Sequence, residues 1–306
     1  MKAIKESHAN VGFGSLCMLF GKSRYAFYKK EKNKQRWLNE EQVVLELVAM
    51  VKRELPRIGT PKLYHMLKKP IQDHHIKMGR DSLHRLLCKN GLTIRPRKRY
   101  VVTTDSRHWM KKYPNLIKDL VINESEQVWV SDITYIQIGE GFNFLSLITD
   151  AYSKQIMGFC LHPTLEAEGC MNALKMALSQ KTKYDIGHIH HSDRGAQYCC
   201  NNYVNLLLAA GLGISMTENG DPYENAIAER VNGILKYEFS LNREFADPTQ
   251  AIEAVQKSIR AYNQLRPHMS CNYLTPVQAH QMKGVLEKKW KPKTKQKEKE
   301  LCFECV

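Results

Sequence analysis

From Val128 onward the apolar residues stop recurring every three to four positions and begin to run in short, strand-length blocks. Residues 128–138, 142–149 and 155–161 form three such blocks, joined by Gly139-Glu140-Gly141 and Tyr152-Ser153-Lys154. Links this short predict antiparallel neighbours. A helical pattern at 165–178 follows, with Leu165, Met171, Leu174, Ala177 and Leu178 on one side, then a fourth strand at 186–191. Residues 202–210 read as a helix ended by Gly211, and Ile214-Ser215-Met216 as a fifth strand. Helices at about 225–240 and 248–265 complete the region. The order predicts an α/β domain: five mixed strands with helices packed on them.

The first hundred residues keep a helical period. Residues 12–20 are apolar, Gly21-Lys22-Ser23 is a turn, and Ser23 is placed to cap a helix at 24–30 that carries Arg24, Tyr25 and Tyr28. A separate helix is expected at 40–55 from Val43, Val44, Leu47, Val48 and Val51, ended by Pro56 and Gly59. Pro61 starts a short helix through Leu63, Met66 and Leu67. Another follows Gly79, with Asp81 or Ser82 as cap and Leu83, Leu86 and Leu87 inside, and ends at Gly91. Small helical bundles of this kind are built equally for structure and for DNA reading. The adjoining Arg95-Pro96-Arg97-Lys98-Arg99 favours DNA, with Arg95, Arg97, Lys98 and Arg99 on phosphates and the helix at 80–89 presented to the duplex. The expected plan is a helical segment at 1–55, a helix-turn-helix module at 56–99, a linker at 100–127, a catalytic core at 128–285, and a basic tail without fixed structure at 286–306.

Charge follows this plan. Residues 1–127 hold 27 Lys and Arg against 12 Asp and Glu, residues 128–282 hold 11 against 15, and the tail from Lys283 holds 8 against 4. Charge alone fits a lysine-rich surface as well as a DNA-binding arm beside a mildly acidic catalytic module. Nine scattered cysteines, with a single C-x-x-C at Cys302 and Cys305, argue against a disulfide framework. No run of eighteen apolar residues and no cleavable leader pattern is present, so a cytoplasmic protein without a membrane partner is expected, nucleoid-associated when on DNA.

Three carboxylates stand out. Asp132 lies in the first strand block, Asp193 closes the fourth, and Glu229 lies in the following helix; sixty residues separate the first two and thirty-five the last two. Two acids on strand ends and one on a helix can converge on a pair of magnesium or manganese ions for phosphodiester chemistry. Ile227, Val231, Ile234 and Leu235 make that helix's apolar stripe, while Glu229, Asn232, Gly233 and Lys236 share another face. Asp150, Glu218, Asp221 and Glu224 are better read as turn formers and caps. Of His190 and His191, strand alternation predicts one inside and one outside near phosphate; Cys199-Cys200 suits helix-start packing. Spacing by itself would not distinguish this triad from ordinary surface acids.

The local contexts do. Trp129-Val130-Ser131-Asp132-Ile133-Thr134-Tyr135, His190-His191-Ser192-Asp193-Arg194-Gly195-Ala196-Gln197-Tyr198 and Glu224-Asn225-Ala226-Ile227-Ala228-Glu229-Arg230 closely resemble the integrase-core motifs of bacterial insertion-sequence transposases. Tyr262-Asn263, Arg266-Pro267-His268 and Leu274-Thr275-Pro276 fit the same family, and the likeness covers about 128–280. It implies a ribonuclease-H-like core whose Asp132, Asp193 and Glu229 are the catalytic acids and the ligands of two metal ions. It further implies that Lys236 contacts the element's end and that Arg194, Gly195 and Gln197 shape the loop beside the second aspartate, Arg194 and Gln197 within reach of DNA. The implied partners are terminal inverted repeats, target DNA, further copies of the chain and a product of an upstream reading frame. Departures from related proteins are also expected: no zinc-binding His/Cys domain, and no long N-terminal heptad helix. A nuclease or resolvase of the same fold, and a DNA-binding repressor with an inactive core, are the competing functions.

Overall fold

The computed structural model describes residues 10–94, 109–183, 187–218 and 222–289. The chain divides near residue 95 into a helical unit and a larger sheet-based unit. The basic run at 95–99 and the tail from 290 lie outside the described residues.

The helical unit holds α1 (Phe13–Leu19), α2 (Arg24–Glu54), α3 (Thr60–Asp73) and α4 (Arg80–Lys89). Gly21 takes φ +61° in the turn after α1, and Ser23 Oγ accepts the Ala26 amide at 3.0 Å, the cap its position predicts. The expected break between 30 and 40 does not occur, and α2 runs unbroken for 31 residues. A long N-terminal helix is therefore present where none was anticipated. Its middle buries nothing, so it has no apolar period to read. Instead Lys, Glu, Gln and Arg supply helix propensity, with no Gly or Pro between 24 and 54. Arg36 pairs with Glu40 at 2.7 Å, one turn on. The helix α3 also outlasts its expected end at Leu67, crossing Pro70 because Ile71 continues the buried stripe of Leu63 and Leu67. Leu83, Leu86 and Leu87 of α4 complete this small core, and Lys89 reaches Glu41 of α2 at 2.9 Å.

The second unit is built on β1 (Val128–Ile138), β2 (Gly141–Asp150), β3 (Ile156–His162), β4 (Ile189–Ser192) and β5 (Gly213–Met216). Their order across the sheet is β3-β2-β1-β4-β5, with β1, β2 and β3 antiparallel and β4 and β5 parallel to β1. This is the ribonuclease-H-like arrangement. Between the strands lie α5 (Ala167–Ser179), α6 (Ala196–Cys199) and α7 (Asn201–Ala209); after them come α8 (Ala226–Glu238), α9 (Pro248–Gln264) and α10 (Pro276–His280). Alternation along β1 splits the core in two. Trp129 joins Ile148, Met157, Leu174, Tyr203 and Leu207 on one face, whereas Val128 and Val130 join Ala151 and Ala228 on the other.

Residues 109–127, expected as a linker, are stitched to this unit. The Leu116 amide donates to Ser215 Oγ at 2.9 Å, the Met216 amide donates to the Pro114 carbonyl at 3.3 Å, and Tyr113, Ile117, Leu120 and Ile122 pack on the two core clusters. The segment covers β5, which an aperiodic sequence does not announce.

Glycine is required where α5 crosses β3. A Cβ on Gly158 would sit 2.1 Å from the Ala173 carbonyl oxygen and 2.8 Å from the Ala177 amide nitrogen, both backbone atoms of α5. Gly158→Ala should therefore destabilise the unit by about 3 kcal/mol, the upper part of the usual overpacking range. Urea denaturation would read this as a lower midpoint at unchanged slope; an unshifted midpoint would mean that α5 stands off the sheet.

Candidate active site

Parallel pairing sets the first two acids level. Val130 of β1 lies opposite His191 of β4, and two further residues along each chain reach Asp132 and Asp193. Both therefore emerge at the carboxyl end of the parallel pair, where β1 has β2 antiparallel on its other side.

Each carboxylate is held locally. Asp132 Oδ1 accepts the Ile133 amide at 2.9 Å, and Oδ2 accepts Asn232 Nδ2 of α8 at 2.7 Å. Asp193 Oδ1 accepts the Gly195 amide at 3.0 Å. Glu229 stands exposed in the first turn of α8. The charges are coupled. Burial, then the neighbouring Asp193, and more weakly Glu229, push the Asp132 pKa up to about 7 against the pull of its two hydrogen bonds. Glu229 is raised by desolvation and by Asp193. Three acids that each disfavour the others' ionisation form a site that is stabilised by added positive charge. Among the described residues no group of three or more His, Cys, Asp or Glu is gathered closely enough to hold a metal ion as it stands. The three carboxylates are nonetheless hard-oxygen donors of the kind that suits magnesium or manganese, and Glu229 is the exposed one.

The seating of α8 depends on two asparagines, two turns apart. Asn225 Nδ2 donates to the Ser131 carbonyl at 2.9 Å, and Asn232 reaches Asp132. Both side chains are buried. At the other end Arg266, fully buried, forms a two-pronged pair with Glu238, 2.8 Å at each contact, and its Nη1 lies 2.8 Å from His268 Nε2. Asn263 caps β3 through both Ile156 backbone groups, and Tyr262 donates to the Lys154 carbonyl. These motif residues are fasteners of the scaffold. Gly233, on the same face of α8 as Glu229, has nothing within 4 Å of a Cβ position.

Lys236 Nζ sits 3.6 Å from the Tyr135 ring centroid; burial lowers its pKa, and Asp132 raises it. Gln197 donates to the Leu165 carbonyl at 2.8 Å and so braces the loop before α5, and Arg194 lies half-buried beside Asp193. Arg95, Arg97, Lys98 and Arg99 fall outside the described residues. The expectation that one of His190 and His191 faces outward fails: both are buried, as is His188. Both faces of β4 are packed, Ile189 against the Val128 cluster and His190 against Tyr203, so alternation moves a side chain from one core to the other, never to solvent. Asp150 is likewise interior, accepting the Glu126 amide at 2.6 Å and Ser153 at 2.7 Å, and lies opposite Trp129, three residues before Asp132 on β1.

Sequence reasoning placed Asn232 on a polar stripe without a role, whereas it is buried against the acid it holds. Asn232→Ala should slow metal-dependent DNA cleavage roughly five- to a hundredfold, the rate equivalent of about 1–3 kcal/mol for a lost buried donor. Asn232 Oδ1 has no hydrogen-bond partner, so the same change removes a buried polar cost and should shift the melting temperature little. Equal cleavage rates in the two proteins would remove Asn232 from the site.

The chain as a whole is similar to known proteins. Two family models described as integrase core domain match residues 123–222 and 210–276. An insertion element IS600 uncharacterized 31 kDa protein of Shigella sonnei is 31% identical over 266 residues, 86% of this chain and 96% of that protein. The transposase InsF for insertion sequence IS3A of Escherichia coli (strain K12) is 27% identical over 281 residues, covering 90% of this chain and 96% of the relative. Among solved structures, the HTLV-2 integrase catalytic core domain in complex with magnesium aligns with a TM-score of 0.40 at 16% identity, over 51% of this chain and 97% of that one. The chain belongs to the bacterial insertion-sequence transposases that carry an integrase core domain.

Proposed function

We propose that Asp132, Asp193 and Glu229 are the catalytic acids, that they hold two divalent ions, magnesium or manganese, and that the chain cuts at its element's ends and joins the freed 3′ hydroxyl to target DNA. The observation that carries this reading is the level placement of Asp132, within β1, and Asp193, just past the end of β4, two residues beyond the Val130–His191 pair, with their charges in mutual conflict. Bound ions would make the attacking oxygen more basic and stabilise charge on the leaving oxygen. The chain's own residues do the positioning. Asn232 and the Ile133 amide fix the Asp132 carboxylate, the Gly195 amide fixes Asp193, and α8 carries Glu229. Lys236, Arg194 and Gln197 are assigned to the DNA beside the acids, and Arg95, Arg97, Lys98 and Arg99 to phosphates farther along it. The proposed partners are the terminal inverted repeats, target DNA, further copies of the chain, and an upstream-frame product that brings the ends together at the nucleoid.

The test is incubation of purified protein with labelled DNA spanning the element's terminus, a target plasmid and magnesium. Joined products are expected. Cleavage without joining would instead make the chain a nuclease of the same fold, and binding without cleavage a repressor.

A further inference from the structure

We infer that Tyr135 and Phe142, with Lys236 beside them, form a ledge that receives an unpaired nucleic-acid base next to the acids; this rests on the DNA-cutting reading above. Tyr135 is 42% exposed and Phe142 50%, so two large rings stand open near the end of the β1–β2 hairpin. Tyr135 lies opposite Phe144 and Phe142 opposite Gln137, which makes the two rings diagonal neighbours across the strands. They meet edge to face, with centroids 5.3 Å apart and planes at 79°. Cross-strand aromatic pairing stabilises a hairpin, but it does not call for rings that are half open to water. Nor does pairing account for the cation. Lys236 Nζ lies 3.6 Å from the Tyr135 centroid, and the same ammonium feels the charge of Asp132. The ledge is thus one lysine away from a catalytic acid.

Open rings beside an ammonium match the chemistry of a nucleotide: the base lies on an aromatic face, whatever its identity, and the cation meets the phosphate. A base within a duplex has both faces covered by its neighbours. The ledge therefore selects a base released from the stack, as at a frayed or nicked end.

A duplex with a mismatched, frayed end provides the test, with 2-aminopurine at the unpaired position and divalent ions withheld so that no cleavage occurs. Stacking quenches this base. The wild-type chain should quench it, and should bind the frayed duplex more tightly than a fully paired one. Tyr135→Ala and Phe142→Ala should each abolish the quench and weaken frayed-end binding roughly tenfold, within the range found for losing one stacked base. Their affinity for the fully paired duplex should stay within about twofold, a change too small for a stacked base. Tyr135→Phe should retain the quench. Circular dichroism and melting curves establish that the variants fold. No quench by the wild type, an unchanged quench in the alanine variants, or equal weakening on both duplexes would overturn the ledge. Failure of the wild type to cut when magnesium is restored, with the quench intact, would instead overturn the catalytic reading alone.

Discussion

Asp132→Asn should lower metal-dependent cleavage and strand transfer by about a thousandfold or more, the several kcal/mol supplied by a metal-organised site, and yet raise the stability of the metal-free protein. Two consequences of one carboxylate are involved. With metal, Asp132 would serve as a ligand under the proposed function, and its loss would remove the site. Without metal, it is an acid held, partly desolvated, beside Asp193, with a pKa of about 7 in place of the ordinary 3.8. The folded state then binds the proton more tightly than the unfolded chain does. Stability from this group is complete below about pH 4 and is lost as pH rises through about 7. The loss is at most about 4 kcal/mol by pH 8. Asparagine carries no charge at any pH, so the variant escapes it. Melting curves in chelator at pH 5 and pH 8 should show a gap in favour of Asp132→Asn that widens with pH. A variant that melts below the wild type at pH 8 would mean that the carboxylates are not in conflict, and one that still cuts DNA would remove Asp132 from catalysis.

The placement of the three acids also explains what could be read from sequence. Asp132 and Asp193 were legible because strand-length apolar blocks end at or contain them, and parallel pairing then fixes their relative height. Glu229 was legible from the apolar stripe of α8, which leaves its position on the open side. Features without periodicity were not. The stretch of α2 from Lys29 to Arg36 is wholly polar, so helix propensity, not burial, continues it. Residues 109–127 gain their order from contacts with β5 that lie about a hundred positions away in sequence. Asn232 looks solvent-facing because an amide on a polar stripe usually is; its burial follows from an acid on another element. Arg266 and Glu238 are far apart in sequence and become one buried pair only when α9 folds back on α8. The histidine pair was misread for a related reason: alternation predicts an outside only if the sheet has one, and β4 does not.

That misreading has a consequence for acid stability. Between pH 6.5 and about 4 the sheet-based unit should lose stability steeply, because His188, His190 and His191 are buried as neutral rings. Burial, aided by neighbouring positive charge at His188 and His190, brings His188 and His190 down to about 3 and His191 to about 4. His190 Nε2 is shared between Ser131 Oγ at 2.6 Å and Tyr203 Oη at 2.9 Å, and His191 Nδ1 lies 2.8 Å from Ser215 Oγ; these contacts suit an uncharged ring. The folded pKa values lie below the unfolded value of 6.5, so the unfolded chain takes up protons that the fold refuses. Stability is therefore present above pH 6.5 and lost as pH falls towards the folded values. By pH 5 the loss is about 2 kcal/mol for each ring, or about 6 for three. Asp132 works in the opposite direction, returning about 2 kcal/mol over the fall from pH 7 to pH 5, so the histidines win. In chelator, the slope of unfolding free energy against pH near 5.5 should correspond to about two protons taken up on unfolding, three from the histidines less one from Asp132. Asp132→Asn should raise it to about three. Urea titrations at closely spaced pH values measure both slopes. A flat profile in this window would mean that the rings open to water, and an Asp132→Asn slope equal to that of the wild type would mean that Asp132 ionises normally in the metal-free fold.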